Sequence, residues 1–386
     1  MNDVPVVIVG GGLAGISVAY ALSKQGIESL VIEAGKIGEG SDEFLSGTGS
    51  PLKPSHTKMV STAFETDCQT YRNEHGVREA KLLLSILYDG LKRMEENIPN
   101  SGVKRKLGAI ALGEYPSWAE KELESYRELG FDNGLELWPA KKIKDIFGIE
   151  TQYDGLYNPH EFTMDTKTYL RLISDNQKII IAERKKMYKI EEKENCIVVK
   201  INGEEITADN AVVATNIFVD NPEIQRLIQP WFSFIQCYED SGENTPQAWT
   251  NNNDYVYFIR SDNILAIGGA DLLANRKNGK FVIDDSKAFK ILQATTYSMF
   301  PRLEGRQPIA THYGLCALTR DGLPLVGKLD EKSRIAYIIG CNGYAHSIYP
   351  AAAELMPGIL GYKELDEQQK EFADFLSPKR KTLSLK

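Results

Sequence analysis

Hydrophobic positions follow two patterns along this chain, and each pattern predicts a different kind of secondary structure. Short apolar runs, mostly β-branched, are typical of strands buried on both faces of a parallel sheet. Such runs occupy Val4–Val9, Ser29–Ile32, Ile179–Ala182, 211–216 and 335–340. Between the first two runs, residues 16–24 place apolar side chains at helical spacing. The chain therefore begins with a strand, a glycine-rich turn, a helix and a second strand.

Helical spacing recurs in longer stretches. The predicted helices are 64–96, 116–129, 139–147, 165–174, 287–299 and 348–360. Residues 231–271 are instead rich in short strands, which predicts a second, antiparallel region. A chain of 386 residues is long enough to give both regions cores of their own. The pattern predicts an α/β protein with two sheets.

The turn after the first strand has G-x-G-x-x-G spacing. Gly10 permits the tight bend, Gly12 lets a pyrophosphate approach bare backbone, and Gly15 lets the helix pack close to the strand. The amides and dipole at the helix start favour phosphate charge. Glu33 ends the second strand, where it can accept hydrogen bonds from a ribose. We predict a dinucleotide site in which the acid disfavours NADP, while FAD and NAD both remain open.

Composition and charge narrow the class of protein. Hydrophobic residues make up 42% and charged residues 25%, as in ordinary globular proteins. A net charge of −8 argues against nucleic acid as the main partner. No apolar run is long enough to span a bilayer, and no signal peptide is recognised at the start. The basic stretch 379–381 is interpreted as a solvated, disordered end.

The cysteines indicate the compartment. The five cysteines are scattered and include no C-x-x-C pair. This pattern predicts free thiols in a reducing compartment, and therefore a cytoplasmic protein without a zinc site.

Three separated stretches occur in an order that resembles one family. They are the N-terminal glycine turn, the 211–215 strand, and G-L-P-L-V-G at 322–327 followed by I-I-G-x-x-G at 338–343 and a helix. Together they resemble the FAD-dependent D-amino-acid-oxidase-like (DAO) superfamily, which includes glycine oxidase and sarcosine oxidase. The resemblance implies a glutathione-reductase-type FAD fold, in which a Rossmann-like FAD-binding domain is interleaved with an antiparallel-sheet substrate domain. It also implies oxidation of a C–N bond in an amine or amino acid by hydride transfer to flavin N5.

This resemblance implies a division of the chain and a set of cofactor contacts. The FAD-binding domain is expected to comprise 1–85, 160–225 and 315–386, and the substrate domain 86–159 and 226–314. The 35–56 loop, rich in glycine and serine, is expected to contact the cofactor. The expected FAD-contacting residues are Gly10, Gly12, Leu13, Ala14, Gly15, Glu33, Ala34, Ser41, Ser46, Gly47, Thr48, Met187, Ala214, Thr215, Gly340, Asn342, Gly343, Tyr344 and Ala345.

The sequence departs from the family pattern at the substrate. Glycine-oxidase-like members carry Gly-Leu-Arg before Thr-x-Asp-Gly, and that arginine binds the substrate carboxylate. Cys316 stands in its place here, so either Arg260 or Arg320 replaces it or the substrate has no such carboxylate. Sarcosine-oxidase-like members place a lysine over the flavin where this chain has Ala266, and Ala345 replaces a common glycine in the loop that opens the final helix.

Candidate catalytic residues follow from position and chemistry. His312 precedes the 314–321 strand, and His346 follows the 340–343 loop, which the resemblance places near the flavin. Either imidazole could act as a base or position substrate. A structural role is the alternative for each. Tyr257 and Arg260 lie on a predicted strand of the substrate region, where a tyrosine could face the flavin and an arginine could hold a carboxylate.

Two rival functions stay open at the level of sequence. An NAD-dependent dehydrogenase would use the same glycine turn, and a catalytically degenerate flavin-binding protein would explain the missing arginine and lysine. The expected partners are a small amine or amino-acid-like substrate and an electron acceptor, which is oxygen or an unknown molecule.

Overall fold

The computed structural model of the protein describes most of the chain. The described residues are 4–38, 59–64, 66–98, 104–105, 108–201, 203–240, 247–250, 256–261, 263–277, 280–282 and 285–383. Four of the predicted cofactor contacts, Ser41, Ser46, Gly47 and Thr48, lie outside these ranges and stay predictions.

Within the described residues the chain alternates helices and strands. The helices are α1 (Leu13–Lys24), α2 (Cys68–His75), α3 (Val77–Glu96), α4 (Trp118–Leu129), α5 (Ala140–Phe147), α6 (Thr166–Ser174), α7 (Pro222–Leu227), α8 (Asp285–Met299), α9 (Ala345–Ala353), α10 (Met356–Ile359) and α11 (Glu367–Leu376). The strands are β1 (Val4–Val9), β2 (Ser29–Ile32), β3 (Met59–Val60), β4 (Lys104–Arg105), β5 (Ala109–Leu112), β6 (Glu136–Trp138), β7 (Gly155–Asn158), β8 (Phe162–Met164), β9 (Ile179–Ala182), β10 (Met187–Glu192), β11 (Ile197–Ile201), β12 (Glu204–Val213), β13 (Ile228–Glu239), β14 (Gln247–Thr250), β15 (Val256–Ser261), β16 (Ile264–Leu273), β17 (Asn275–Lys277), β18 (Lys280–Val282), β19 (Ala310–Thr319), β20 (Leu325–Gly327) and β21 (Ile335–Ile339).

Five parallel strands form the centre of the first sheet, in the order β9-β2-β1-β12-β21. β10 and β11 extend the first half of β12 as an antiparallel pair, and β20 pairs antiparallel with β21. Val6 and Ile8 of β1 belong to the core that also contains α1, α3 and α9, whereas Val7 belongs to the core under β11. Because both faces of this sheet are buried, the sequences of its strands are continuous apolar runs.

The second sheet has the strand order β19-β13-β16-β15-β14-β5-β7-β6. Its neighbours run antiparallel except β14 and β5, which are parallel. One face of this sheet packs against α8, where Leu292 shares a core with Phe232, Phe234 and Ile267. The strands of this sheet come from 109–158 and 228–319, so they are interleaved along the chain with those of the first sheet. The predicted fold class is thereby confirmed.

Several helices differ from the sequence prediction at identifiable residues. The predicted helix 64–96 is two helices, α2 and α3, because Gly76 between them has φ +100° and ψ 162° and leaves the helical region. The predicted helix 348–360 is likewise α9 followed by α10, and α11 was not predicted at all. None of the helices described here combines the length and apolar character needed to cross a bilayer.

The basic stretch 379–381 is not the solvated, disordered end that its composition suggested. The side chain of Arg380 is only 6% exposed and pairs with Asp321, which is equally buried. Its guanidinium also donates to the Leu323 and Pro324 carbonyls, so it fastens the turn that follows β19.

Two elements bear on the domain limits. Helix α3 continues through residue 85, and its Leu83 and Leu87 share a core with Ile348 of α9. Strand β19 continues through residue 315 as part of the second sheet. We therefore propose moving these two limits to residues 98 and 319, and the division itself stays a prediction.

Candidate active site

The turn between β1 and α1 leaves room on one side only. A Cβ atom at Gly10, where φ is +109°, would lie 2.4 Å from the carbonyl oxygen of Ala214, and one at Gly15 would lie 1.9 Å from the Gly10 oxygen. A Cβ at Gly12 would meet no atom within 4 Å. The backbone therefore packs tightly behind the turn and is open at Gly12, as a bound pyrophosphate requires.

Helix α1 begins with amides directed at this opening. The first amide in the helical ladder is that of Ile16, which donates to the Gly12 carbonyl at 3.0 Å. The amides of Leu13, Ala14 and Gly15 precede it, in the first turn, where backbone N–H groups have no acceptor within the helix. No acidic residue occupies this turn, so the dipole is not neutralised there.

Glu33 fixes the backbone beside the glycine turn. Its carboxylate accepts the amide of Gly11 at 2.6 Å and that of Gly35 at 2.7 Å, and so fixes the backbone on either side of Ala34. A carboxylate has about four lone-pair sites. Glu33 therefore retains capacity for the predicted ribose hydroxyls.

Three further predicted contacts lie along the same sheet. Ala214 follows β12, and its amide donates to the Val9 carbonyl at 2.8 Å. The hydroxyl of Thr215 is buried and has no hydrogen-bond partner among the described residues. A buried orphan hydroxyl is uncommon and indicates a missing partner. Met187 packs against the core formed by Leu30 and Ile32.

A second glycine-containing loop follows β21 at the same edge of the sheet. Gly340, Asn342 and Gly343 all have positive φ, of 75°, 48° and 81°. The Asn342 side chain accepts the amide of Thr319 at 2.8 Å and donates to the Gly340 carbonyl at 2.6 Å. These bonds direct the chain into Tyr344 and Ala345, where α9 begins. This loop and the Gly10–Gly15 turn thus follow the carboxyl ends of β21 and β1, the two parallel strands that flank β12.

The second sheet meets this loop through its edge strand, β19. Asn216, with φ 52°, donates to the Leu315 carbonyl at 2.9 Å and accepts the Ala317 amide at 3.0 Å. Asn342 takes the next outward-facing amide, that of Thr319. Cys316 lies between these attachments and interacts with the phenol of Tyr349 on α9. The face of the sheet that carries Cys316 therefore faces α9, which follows the 340–343 loop.

Strand registration shows which side chains share that face. Cys316 lies opposite Trp231, Gly314 opposite Ser233, and His312 opposite Ile235. Gly268 lies opposite both Ile235 and Tyr257. Directly paired residues point to the same side of a sheet, so the predicted residues His312 and Tyr257 share the face that carries Cys316. We name this surface, defined by Ser233, Tyr257, His312 and Cys316, the substrate face.

Tyr257 supplies the phenol of the substrate face and is half-buried. Its ring covers Gly268, where a Cβ atom would lie 2.1 Å from the phenol oxygen. Burial first, and then the nearby Asp271 carboxyl, raise the pKa of Tyr257 well above its ordinary value, so the phenol is a neutral hydrogen-bond donor at physiological pH.

Arg260 lies on the other side of the same strand. Residues alternate along β15, so Arg260 shares the core side with Phe258 and not the side of Tyr257. Its guanidinium forms a buried ion pair with Asp240, which also binds Arg302. This placement is structural, and it does not bring Arg260 to the substrate face.

His346 is also held inside the protein. Its Nε2 atom lies 2.7 Å from the hydroxyl of Thr166, the first residue of α6, and both residues are buried. The structure thereby gives the imidazole a role in joining α9 to α6.

Thr166→Val tests that structural role of His346. It removes the hydroxyl at nearly constant shape and should lower the free energy of unfolding by about 1 kcal/mol, while the rate of flavin reduction stays unchanged. The matched control is Thr168→Val, because Thr168 is exposed on the same helix. Chemical unfolding and anaerobic stopped-flow kinetics provide the two measurements. Unchanged stability together with an altered pH profile of reduction would return His346 to the list of catalytic candidates.

Two residues of this region were missed by the sequence reading. Ser233 and Asp271 both interact with Tyr257, and Ser233 also stabilises the ionised Asp271 carboxylate. The only signal for Asp271 was a lone acid within an apolar strand, I-L-A-I-G-G-A-D-L-L. All five cysteines carry free thiols.

Comparison with known proteins agrees with this architecture. Residues 5–356 match the family model described as DAO, FAD dependent oxidoreductase. Glycine oxidase of Bacillus subtilis (strain 168) is 21% identical over 94% of each chain, and gamma-glutamylputrescine oxidoreductase of Escherichia coli (strain K12) is 22% identical over 92% of this chain and 83% of its own length. The crystal structure of glycine oxidase from Geobacillus kaustophilus superimposes with a TM-score of 0.74 at 17% identity, covering 98% of this chain and 99% of the other. The chain therefore belongs to the DAO family of FAD-dependent oxidoreductases.

Proposed function

We propose that the protein oxidises a C–N bond of an amine or amino-acid-like substrate by hydride transfer to flavin N5. The observation that carries this proposal is family membership across residues 5–356. The relatives named above as glycine oxidase and gamma-glutamylputrescine oxidoreductase support a nitrogen-bearing substrate. Bound FAD supplies the hydride acceptor, and the resulting imine is hydrolysed in water.

The residues present fit FAD at both ends of the first sheet's carboxyl edge. The Gly10–Gly15 turn would hold the pyrophosphate against the amides of α1, because Gly12 leaves that side open. Glu33 would accept ribose hydroxyls, and the orphan hydroxyl of Thr215 would gain a partner. The amides at the start of α9 would stabilise negative charge on the reduced flavin ring.

The substrate face supplies the remaining groups. Tyr257 offers a neutral phenol, and His312 offers an imidazole on β19 that could accept or donate a proton. The proposed site leaves out Arg260 and His346, whose side chains are held by Asp240 and Thr166.

Visible spectroscopy tests this function directly. The purified protein, reconstituted with FAD if necessary, should show flavin absorbance that bleaches under anaerobic conditions with at least one member of a panel of amines and amino acids. Admitting oxygen afterwards distinguishes an oxidase, in which the colour returns at once, from a dehydrogenase that needs another acceptor. A protein that holds FAD but is bleached by no compound of the panel would contradict the proposal.

A further inference from the structure

A β-bulge in β16 decides where Asp271 points. Phe234 pairs with Gly269 and Phe232 pairs with Leu272, so Ser233 alone faces the two residues between them, Ala270 and Asp271. The extra residue is accommodated by Gly269 and Ala270, which have φ of +121° and +52°. Such bulges turn the following side chain to the opposite side of the sheet.

Without the bulge Asp271 would pair with Phe232 and enter the apolar core beside α8. With it, Leu272 takes the core side, and Asp271 takes the side of Ser233 and Tyr257. A non-glycine residue held at positive φ is destabilising, so the placement of Asp271 has a free-energy cost at Ala270. The bulge therefore adds a carboxyl to the substrate face.

The Asp271 carboxyl has unused capacity. Its Oδ1 oxygen is shielded from solvent and accepts no hydrogen bond from the described residues. Among those residues, no lysine or arginine lies within ion-pair distance of it. A buried carboxylate normally has a cation or several donors around it. In the described part of the chain, the donor that stabilises the ionised form of Asp271 is Ser233.

Among the described residues, the same face provides no cation for a substrate carboxylate. The described parts of β13, β15, β16 and β19 contain a single arginine or lysine, Arg260, and it lies on the core side in an ion pair with Asp240. Arg320, just beyond β19, is exposed to solvent. Cys316 occupies the position expected for the carboxylate-binding arginine. Of the three alternatives raised by the sequence, a substrate without that carboxylate fits best.

We propose that Asp271 receives the positively charged nitrogen of the substrate, and that the substrate is an amine lacking a carboxylate on the reacting carbon. This inference rests on the proposed amine oxidation and narrows its substrate class. Ionised Asp271 would form a charge-assisted hydrogen bond with the ammonium group and accept one proton from it, which frees the nitrogen lone pair before the hydride leaves the neighbouring carbon. Tyr257 would border the same nitrogen. Asp271 acts here as a residue that determines specificity.

Protonation of Asp271 should control this binding. Burial raises the pKa of Asp271 to about 6, although Ser233 opposes the rise. The carboxyl is therefore ionised at pH 7 and neutral well below pH 6, where affinity for a cation should be lost. The other titratable groups of this face and its surroundings are Tyr257, Cys237, His312 and Cys316, with Cys341 and Tyr349 on the α9 side. Of these only the imidazole ordinarily titrates near neutrality.

The test uses ligands that bind without reacting. tert-Butylammonium is a cation whose nitrogen-bearing carbon has no hydrogen to transfer, and pivalate is an anion of the same shape. Each is titrated into the FAD-loaded protein, and binding is followed by the shift in flavin absorbance. We expect the wild type to bind the cation at least tenfold more tightly than the anion.

Asp271→Asn should weaken cation binding ten- to hundredfold while flavin content is retained. Asp220→Asn is the matched control, because it makes the same charge change at an exposed residue. If Asp271→Asn does not fold, the wild-type pH titration decides: cation affinity should fall below about pH 6, and the fall should persist in His312→Gln. Preferential binding of pivalate, or cation affinity indifferent both to Asp271→Asn and to pH, would overturn the inference.

The inference and the proposed function fail in different ways. A protein that amino acids bleach, and that binds pivalate more tightly than the cation, keeps the proposed oxidation and loses the role of Asp271. A protein that holds FAD but is bleached by no amine or amino acid loses the proposed oxidation, whatever it binds.

Discussion

Replacing Gly12 by aspartate is expected to eliminate FAD binding without unfolding the protein. The Cβ atom enters open space, and the backbone at Gly12 (φ −78°, ψ −172°) suits any residue. Gly12 is the N-cap of α1, a position that aspartate favours, so the apoprotein should be at least as stable as the wild type. The new carboxylate would instead oppose the pyrophosphate. Two like charges 4 Å apart repel by about 4 kcal/mol at an effective dielectric constant of 20, which is roughly a thousandfold in affinity.

Gly12→Asn separates charge from size in this experiment. Asparagine caps the helix equally well and has the same shape, so it should lose much less FAD affinity than aspartate. FAD affinity is measured by fluorescence quenching on reconstitution, and apoprotein stability by thermal unfolding. Gly15→Ala gives the contrasting result, an unstable apoprotein, because its Cβ atom would lie 1.9 Å from the Gly10 oxygen. Equal FAD affinity in the aspartate and asparagine variants would show that no phosphate lies at this turn.

Arg380→Met should cost about 3–5 kcal/mol of unfolding free energy, the usual effect of breaking a buried ion pair. Arg380 forms two bonds of 2.7 Å to the two oxygens of Asp321, and its other donors reach carbonyls such as that of Leu323 at 2.6 Å. Methionine fills similar volume but leaves the Asp321 charge buried and unpaired. Urea unfolding measures the difference. The matched control, Lys379→Met, removes the same charge at an exposed pair with Glu331 and should change stability by less than about 0.5 kcal/mol.

The stability loss caused by Arg380→Met should also depend on pH, and the direction of that dependence is a second test of the ion pair. Burial alone would raise the pKa of Asp321, but its bonds to Arg380 hold the pKa below its ordinary value. A depressed pKa contributes stability that is present above the unfolded-state value and is lost as pH falls through the folded-state value. In the variant, which lacks Arg380, lowering the pH protonates the buried Asp321 carboxylate and so removes its unpaired charge. The stability difference between wild type and variant should therefore shrink as pH falls from 7 toward 4, and a constant difference would show that the ion pair is not its cause.

Elements whose signals are local were predicted closely. The β1–α1–β2 unit follows from an apolar run, a spaced set of glycines and a helical period, all within residues 4–32. Helix α11 had such a signal as well, since Asp366 and Gln369 form a capping box at its start. The helix was not predicted, although this capping box marks its start in the sequence. Gly76 likewise separated α2 from α3 at a residue visible in the sequence.

Features that depend on distant partners could not be predicted in this way. Arg380 reads as part of a basic tail because its partner, Asp321, lies 59 residues earlier. Arg260 was correctly placed on a strand, but its pairing with Asp240 depends on the register of neighbouring strands. Asp271 is the sharpest case. A regular strand would direct it into the core, and only the bulge at Gly269 and Ala270 brings it to the substrate face.

The bonds from Asn216 and Asn342 to β19 have one more consequence. β19 is the outermost strand of its sheet, and such strands offer bare amides and carbonyls to which a second molecule can add a strand of its own. Three such groups, the Leu315 carbonyl and the amides of Ala317 and Thr319, are already taken by the side chains of Asn216 and Asn342. The contacts that join the two halves of the molecule thus also protect this stretch against edge-to-edge aggregation.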